Sequence, residues 1–261
     1  MSYITTRHGA LWYSVLGSGH PLVLIHGNTM TAASQVRLAQ RFADEYSVFS
    51  IDLLGHGQSA RPAELFTTRY FAMQGEALAD LLAACFAEAR VPIFGMSAGA
   101  LTALNAACIA PERISALVLD GVLRYVDAAI VQTNRENLTN VSREWDKYMR
   151  SQHGDDWWPR LQAGALATME QLAAAGTDLV PCLEQINIPA LIFQGGQDHF
   201  CPEPQGRAIA AAMPNARLIY DADAGHLLAW KDPDAFRVIA GEFLREHAEE
   251  RQKRYGVPRA H

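Results

Sequence analysis

The chain has 261 residues, 49% of them hydrophobic and 19% charged, with a formal net charge of -6. That length suits one domain, or one domain carrying a large insertion, and the composition is ordinary for a globular protein. An acidic balance without a basic patch argues against nucleic acid or an anionic membrane surface as partner, and no apolar run reaches bilayer-spanning length.

The first predicted element is a strand over residues 10–16, where apolar and polar residues alternate up to the turn Gly17-Ser18-Gly19. Residues 21–25 are apolar on both faces, as a buried parallel strand must be, and run into His26-Gly27-Asn28-Thr29. Residues 32–46 have helical spacing, with Val36, Leu38, Ala39, Phe42 and Ala43 placed to cover a sheet. A strand over 47–51 follows and leads into Asp52-Leu53-Leu54-Gly55-His56-Gly57-Gln58-Ser59. A helix is expected over 70–89, then a short strand over 91–94, then a helix over 98–110. The next strand spans 114–120.

From residue 124 to 188 the strand–helix alternation stops. Helical patterns remain, with Trp145, Trp157 and Trp158 among them. A structureless loop of that length is unusual in a compact domain. We therefore expect a helical cap over 124–188, inserted after the sixth strand, and a core formed by residues 1–123 and 189–261. The core resumes with a strand over 189–194 and the loop Gly195-Gly196-Gln197-Asp198. A helix over 203–213, a strand over 216–220 and a helix over 232–250 complete it. The charged tail over 249–261 is expected to fray.

Strands alternating with helices imply an α/β fold with a mostly parallel sheet covered on both faces. In such sheets ligands bind beyond the C-terminal strand ends, and the chemically suggestive groups fall there. Gly95-Met96-Ser97-Ala98-Gly99 sits between a strand and a helix, the context in which G-x-S-x-G forms a nucleophile elbow. A serine hydroxyl needs a base, and that base needs an orienting carboxylate. His226, in Asp223-Ala224-Gly225-His226, follows the last strand, and Asp198 follows the strand before it. Asp120 also ends a strand and stands as the alternative acid.

These motifs, in this order, resemble the α/β-hydrolase fold superfamily, and in particular its lidded serine carboxylesterases. His26-Gly27-Asn28-Thr29 is similar to the family's oxyanion loop, and Asp52-x-x-Gly55-x-Gly57-x-Ser59 to the turn after its next strand. Asp232-Pro233-x-x-Phe236 is similar to the start of its final helix. The resemblance implies that Ser97 attacks an acyl carbonyl, His226 shuttles the proton and Asp198 orients the imidazole. It implies an oxyanion hole made by the N–H of Ala98 and one N–H of the loop, from Asn28 or, alternatively, Thr29. His26, His56 and Ser59 are expected to brace loops.

A serine nucleophile implies acyl chemistry on a small or medium, largely apolar ester. A carbon–carbon bond hydrolase or enol-lactonase of aromatic degradation is the alternative, and a ligand receptor on the same fold a further one. Met96, Trp145 and Trp158 are the candidate substrate contacts, within an apolar and aromatic set that includes Tyr148, Met149, Trp157, Leu161, Leu166 and Met169. No metal-ligand spacing or nucleotide fingerprint is present, so neither metal nor cofactor is expected. The four cysteines (Cys85, Cys108, Cys182 and Cys201) form no C-x-x-C pair and are expected to be reduced. Without a leader-like segment at residues 1–8, a cytoplasmic location is expected and the sequons at Asn137 and Asn140 read as chance matches. Monomer and homo-oligomer stay open.

Overall fold

The computed structural model describes residues 2–87 and 89–255. The elements in chain order are β1 (Ser2–Thr6), β2 (Gly9–Leu16), β3 (His20–Ile25), α1 (Val36–Gln40), β4 (Tyr46–Ile51), α2 (Tyr70–Cys85), β5 (Val91–Met96), α3 (Ala98–Ile109) and β6 (Ile114–Asp120). Next come α4 (Ala128–Thr139), α5 (Arg143–His153) and α6 (Trp158–Ala175), then β7 (Ala190–Gly195), α7 (Glu203–Ala212), β8 (Ala216–Asp221), α8 (Leu228–Lys231) and α9 (Pro233–Tyr255). The eight strands form one sheet in the order β1-β2-β4-β3-β5-β6-β7-β8. β2 pairs antiparallel with β1 and β4, and every other pair is parallel.

Two apolar layers sandwich this sheet. Val23, Ile25 and Ile93 face a cluster built with α2 and α3. Leu22, Leu24 and Phe94 face the opposite cluster, which includes Phe42, Phe236 and Phe243. Adjacent residues of β3 and β5 thus point to opposite cores, which is why these strands read as unbroken apolar runs. No helix among the described residues is long and apolar enough to cross a membrane.

Most expected elements are present, with instructive departures. The helix expected over 32–46 is a short 3-10 turn, Ala32–Gln35, followed by α1. Beyond Gln40 the chain makes three-residue turn bonds, such as Ala43 N–H to Gln40 O and Glu45 N–H to Phe42 O, with a single four-residue bond from Tyr46 N–H to Phe42 O. Phe42 still reaches the core, so the apolar spacing was real while the helix was not. Helix α2 stops at Cys85, short of residue 89. Phe86 leaves the helix at φ -136 and packs its ring against Phe49 at 4.8 Å. Strand β1, which the sequence did not reveal, is a short and half-exposed edge strand. The tail expected to fray continues as α9 to Tyr255, and residues 256–261 lie outside the described residues.

The cysteine expectation is overturned in part. Cys108, near the end of α3, is disulfide-bonded to Cys182, 74 residues later, with Cα atoms 5.8 Å apart. The chain returning from α6 to β7 lies beside α3, and one-dimensional spacing carries no trace of that approach. Cys85 and Cys201 are unpaired.

Candidate active site

The elbow is built by steric necessity. Ser97 sits at φ 52 and ψ -115, backbone space that a residue with a Cβ rarely enters. A Cβ on Gly95 would lie 2.4 Å from Gly99 O, and one on Gly99 would lie 2.4 Å from Ile25 O. Both positions therefore require glycine if β5 is to turn directly into α3 against β3. The Ser97 N–H donates to Asp120 O at 2.8 Å, tying the elbow to the end of the neighbouring strand. The half-buried serine is left at the mouth of α3, facing a cavity.

The β7–α7 and β8–α8 loops bring the acid and base together. His226 Nδ1–H donates to Asp198 Oδ2 at 2.8 Å. The other Asp198 oxygen accepts the N–H groups of Phe200 (2.9 Å) and Cys201 (2.8 Å). The carboxylate is thereby fixed, while the His226 side chain keeps 21% exposure. Gly121 makes room for it, since a Cβ there would lie 2.9 Å from His226 Cε1. Asp120 is committed elsewhere. Its two oxygens accept the N–H groups of Leu228 (3.0 Å) and Ala229 (2.9 Å), so it anchors the turn that follows His226. Burial pushes its carboxyl up to about 6.

Ser97 and His226 share no hydrogen bond among the described residues. Ser97 and Cys201 line the same cavity, and burial drives the pKa of the Cys201 thiol up. Donor atoms of Cys201, Asp198 and His226 lie within 4.8 Å of one another. Asp198 and His226 therefore meet beside the Cys201 thiol, and Ser97 lines the same cavity as Cys201. That donor set could hold a soft divalent cation only by breaking the His226–Asp198 bond.

The loop after β3 offers the second candidate oxyanion donor. Met30 N–H closes a reverse turn on Gly27 O, and Thr29 within that turn has φ 62. Thr29 N–H is engaged by His56 Nε2 and by Asn28 Oδ1, both at 3.1 Å. Among the described residues the N–H groups of Asn28 and Ala98 have no acceptor, and both residues line the cavity with Ser97. The loop is braced by His26, which donates from Nδ1 to Gly27 O and accepts Leu53 N–H at Nε2. Ser59 Oγ, donating to Asp52 O and accepting Trp12 N–H, braces the turn beyond.

The cavity is lined by Phe71, Leu101, Leu123, Met169 and Phe200 beside the polar groups Asn28, Ser97, Asn134 and Cys201. The three expected substrate contacts do not line it. Met96 lies with Phe94 in the cluster below the opposite sheet face, as the two-residue strand period dictates. Trp158 is fully buried, donates to Asp146 at 2.9 Å and stacks on His153. Trp145 is on the surface beside Tyr148. Of the apolar cap set, Met169 is the residue that reaches the cavity. Leu101, one helical turn past Ser97, and Phe200, two residues past Asp198, were findable from their motifs. Asn134 was not, because nothing in its own sequence context marks it.

The sequence pattern described as alpha/beta hydrolase fold matches residues 20–156. A pimeloyl-[acyl-carrier protein] methyl ester esterase of Chromobacterium violaceum is 28% identical, over 83% of this chain and 91% of its own. An uncharacterized protein of Mycobacterium tuberculosis is 35% identical, over 89% of this chain and 77% of its own. Among solved structures, a meta-cleavage product hydrolase from Pseudomonas fluorescens superposes with a TM-score of 0.75 at 19% identity, covering 94% of this chain and 98% of the other. At that identity the likeness speaks for the fold alone. The chain belongs to the α/β-hydrolase fold family.

Proposed function

We propose that this α/β hydrolase is a serine esterase acting on a small or medium, largely apolar carboxylic ester. The observation that carries this reading is the fixed Asp198–His226 pair, set beside a serine held in elbow geometry above an apolar cavity. In the proposed cycle a rotation about the Ser97 Cα–Cβ bond brings Oγ to His226 Nε2, a contact of the kind that often tightens only when substrate is bound. His226 accepts the hydroxyl proton as Ser97 attacks the ester carbonyl. Asp198 stabilises the imidazolium that forms. The tetrahedral oxyanion is received by the N–H groups of Ala98 and Asn28, the latter preferred because Thr29 N–H is already bonded. Each such donor is worth about 3–4 kcal/mol in the transition state. His226 then protonates the leaving alcohol, and water repeats the sequence on the acyl-enzyme.

The ester reading gains support from the esterase relative at 28% identity. Phe71, Leu101, Leu123 and Met169 give the cavity an apolar wall, which suits an apolar acyl or alcohol group. Residues 124–188 act as the cap in this reading, supplying Asn134 and Met169 from α4 and α6. The test is a panel of short-chain nitrophenyl esters with vinylogous diketones alongside. Wild-type protein should turn over the esters repeatedly, and Ser97→Ala should lose that turnover while keeping its circular dichroism spectrum. Full turnover by Ser97→Ala rejects the reading, and fast cleavage of the diketones with poor ester turnover replaces it.

A further inference from the structure

The oxyanion loop is gripped from the cap, and the grip centres on His153 at the end of α5. Its Nε2–H donates to Thr29 O at 2.9 Å. Its Nδ1 accepts Gly57 N–H at 3.0 Å. The ring is buried and stacks on Trp158 at 5.6 Å with an 11° interplanar angle. Neighbouring bonds fix the same corner. Gln152 accepts from Thr31 Oγ1 at 3.1 Å, Arg61 donates to His153 O at 2.6 Å, and Trp157 Nε1–H donates to Gly55 O at 2.7 Å.

Thr29 explains why such a grip matters. It is β-branched and sits at φ 62, a conformation that such residues adopt only when their surroundings impose it. Its N–H is held by His56 Nε2 and its C=O by His153 Nε2. Release of either end would let Thr29 relax to negative φ and swing the adjoining peptide groups. The Asn28 N–H belongs to that turn.

We infer that His153 is a positioning residue for the oxyanion hole: through Thr29 O it locks the left-handed turn that aims the Asn28 N–H at the reacting carbonyl. The inference rests on the esterase reading given above. The corner of the cap between α5 and α6 is then a fixed brace on the catalytic loop. Any opening of the cap has to hinge elsewhere.

Three variants test this: His153→Leu, His153→Gln, and His153→Leu combined with Thr29→Gly. Leucine removes both bonds. Glutamine keeps a donor in place of Nε2–H. Glycine tolerates positive φ without help, so it should hold the turn when His153 is gone. On a short-chain nitrophenyl ester, His153→Leu should lose on the order of 10- to 100-fold in kcat with KM within about threefold, as for a small misplacement of a catalytic group. His153→Gln and the double variant should each recover much of that loss. Amide hydrogen exchange of the 26–32 segment should be faster in His153→Leu and reversed by the Thr29→Gly addition. A folded His153→Leu protein with wild-type kcat, or one affected in KM alone, overturns the inference. So does unchanged exchange in that segment, whether or not the wild-type protein cleaves esters. Absent ester turnover with accelerated exchange would instead remove the esterase reading and leave the brace standing.

Discussion

Acidification from pH 7 to 5.5 should destabilise the fold through its buried histidines. His26, His56 and His153 are at most 1% exposed, and their rings lie in sequence, His26 5.1 Å from His56 and His56 5.8 Å from His153. Each ring uses one nitrogen to donate to a backbone carbonyl and the other to accept a backbone N–H. Adding a proton to any of them destroys an accepted bond and buries a charge. Burial accordingly pushes His26 down to about 3, His56 well below its ordinary value, and His153 in the same direction. The unfolded chain binds these protons near pH 6.5, while the folded chain refuses them until a lower pH. Stability is therefore complete above about 6.5 and falls as the pH drops towards the folded values. For a histidine whose folded value stays well below 5.5, as that of His26 does, the loss between pH 7 and 5.5 is about 1 kcal/mol. His56 adds to it in the same direction. Asp120, raised to about 6, works oppositely, because its folded form takes up a proton first. With Asp52, which burial raises in the same direction, it offsets part of the loss. The net expectation is a fall on the order of 1 kcal/mol, deepened by His153. Urea unfolding at half-unit pH steps, extrapolated to water, measures it directly. Stability that is flat or rising between pH 7 and 5.5 would refute the assignment of these rings as neutral, doubly bonded braces.

Two further outcomes follow from close approaches in the fold. Gly121→Ala places a Cβ 2.9 Å from His226 Cε1 at a residue with φ 72. Ester kcat should fall on the order of 100-fold while the circular dichroism spectrum is retained, and near wild-type kcat would show that His226 has room to spare. The Cys108–Cys182 bond closes a separation of 74 residues. Cys108→Ala should cost up to about 4 kcal/mol by the chain-entropy relation. Its urea midpoint should no longer respond to reductant, as the wild-type midpoint should.

The sheet was legible in the sequence because its signals are local. A parallel strand buried on both faces reads as a continuous apolar run, and residues 21–25, 116–119 and 189–193 are such runs. The elbow was equally legible, since Gly95 and Gly99 are demanded by contacts within a few residues or with the adjacent strand. Segment 32–46 shows the limit of periodicity. Its apolar residues point the right way, yet competing turn bonds end the helix after Gln40.

The order of motifs determined the family and named Ser97, Asp198 and His226 as candidates, because strand ends and their loops follow the chain. Which groups actually meet was decided by tertiary structure. Asp198 rather than Asp120 faces the His226 ring, since the turn after His226 consumes both Asp120 oxygens. Thr29 N–H is bonded to His56, whereas the Asn28 N–H has no acceptor among the described residues. Met96, Trp145 and Trp158 miss the cavity that Asn134 and Met169 reach from α4 and α6. Spacing constrains a backbone over a few residues; the meeting of side chains from separate loops depends on sheet order and on the path of residues 124–188, and no local pattern encodes either.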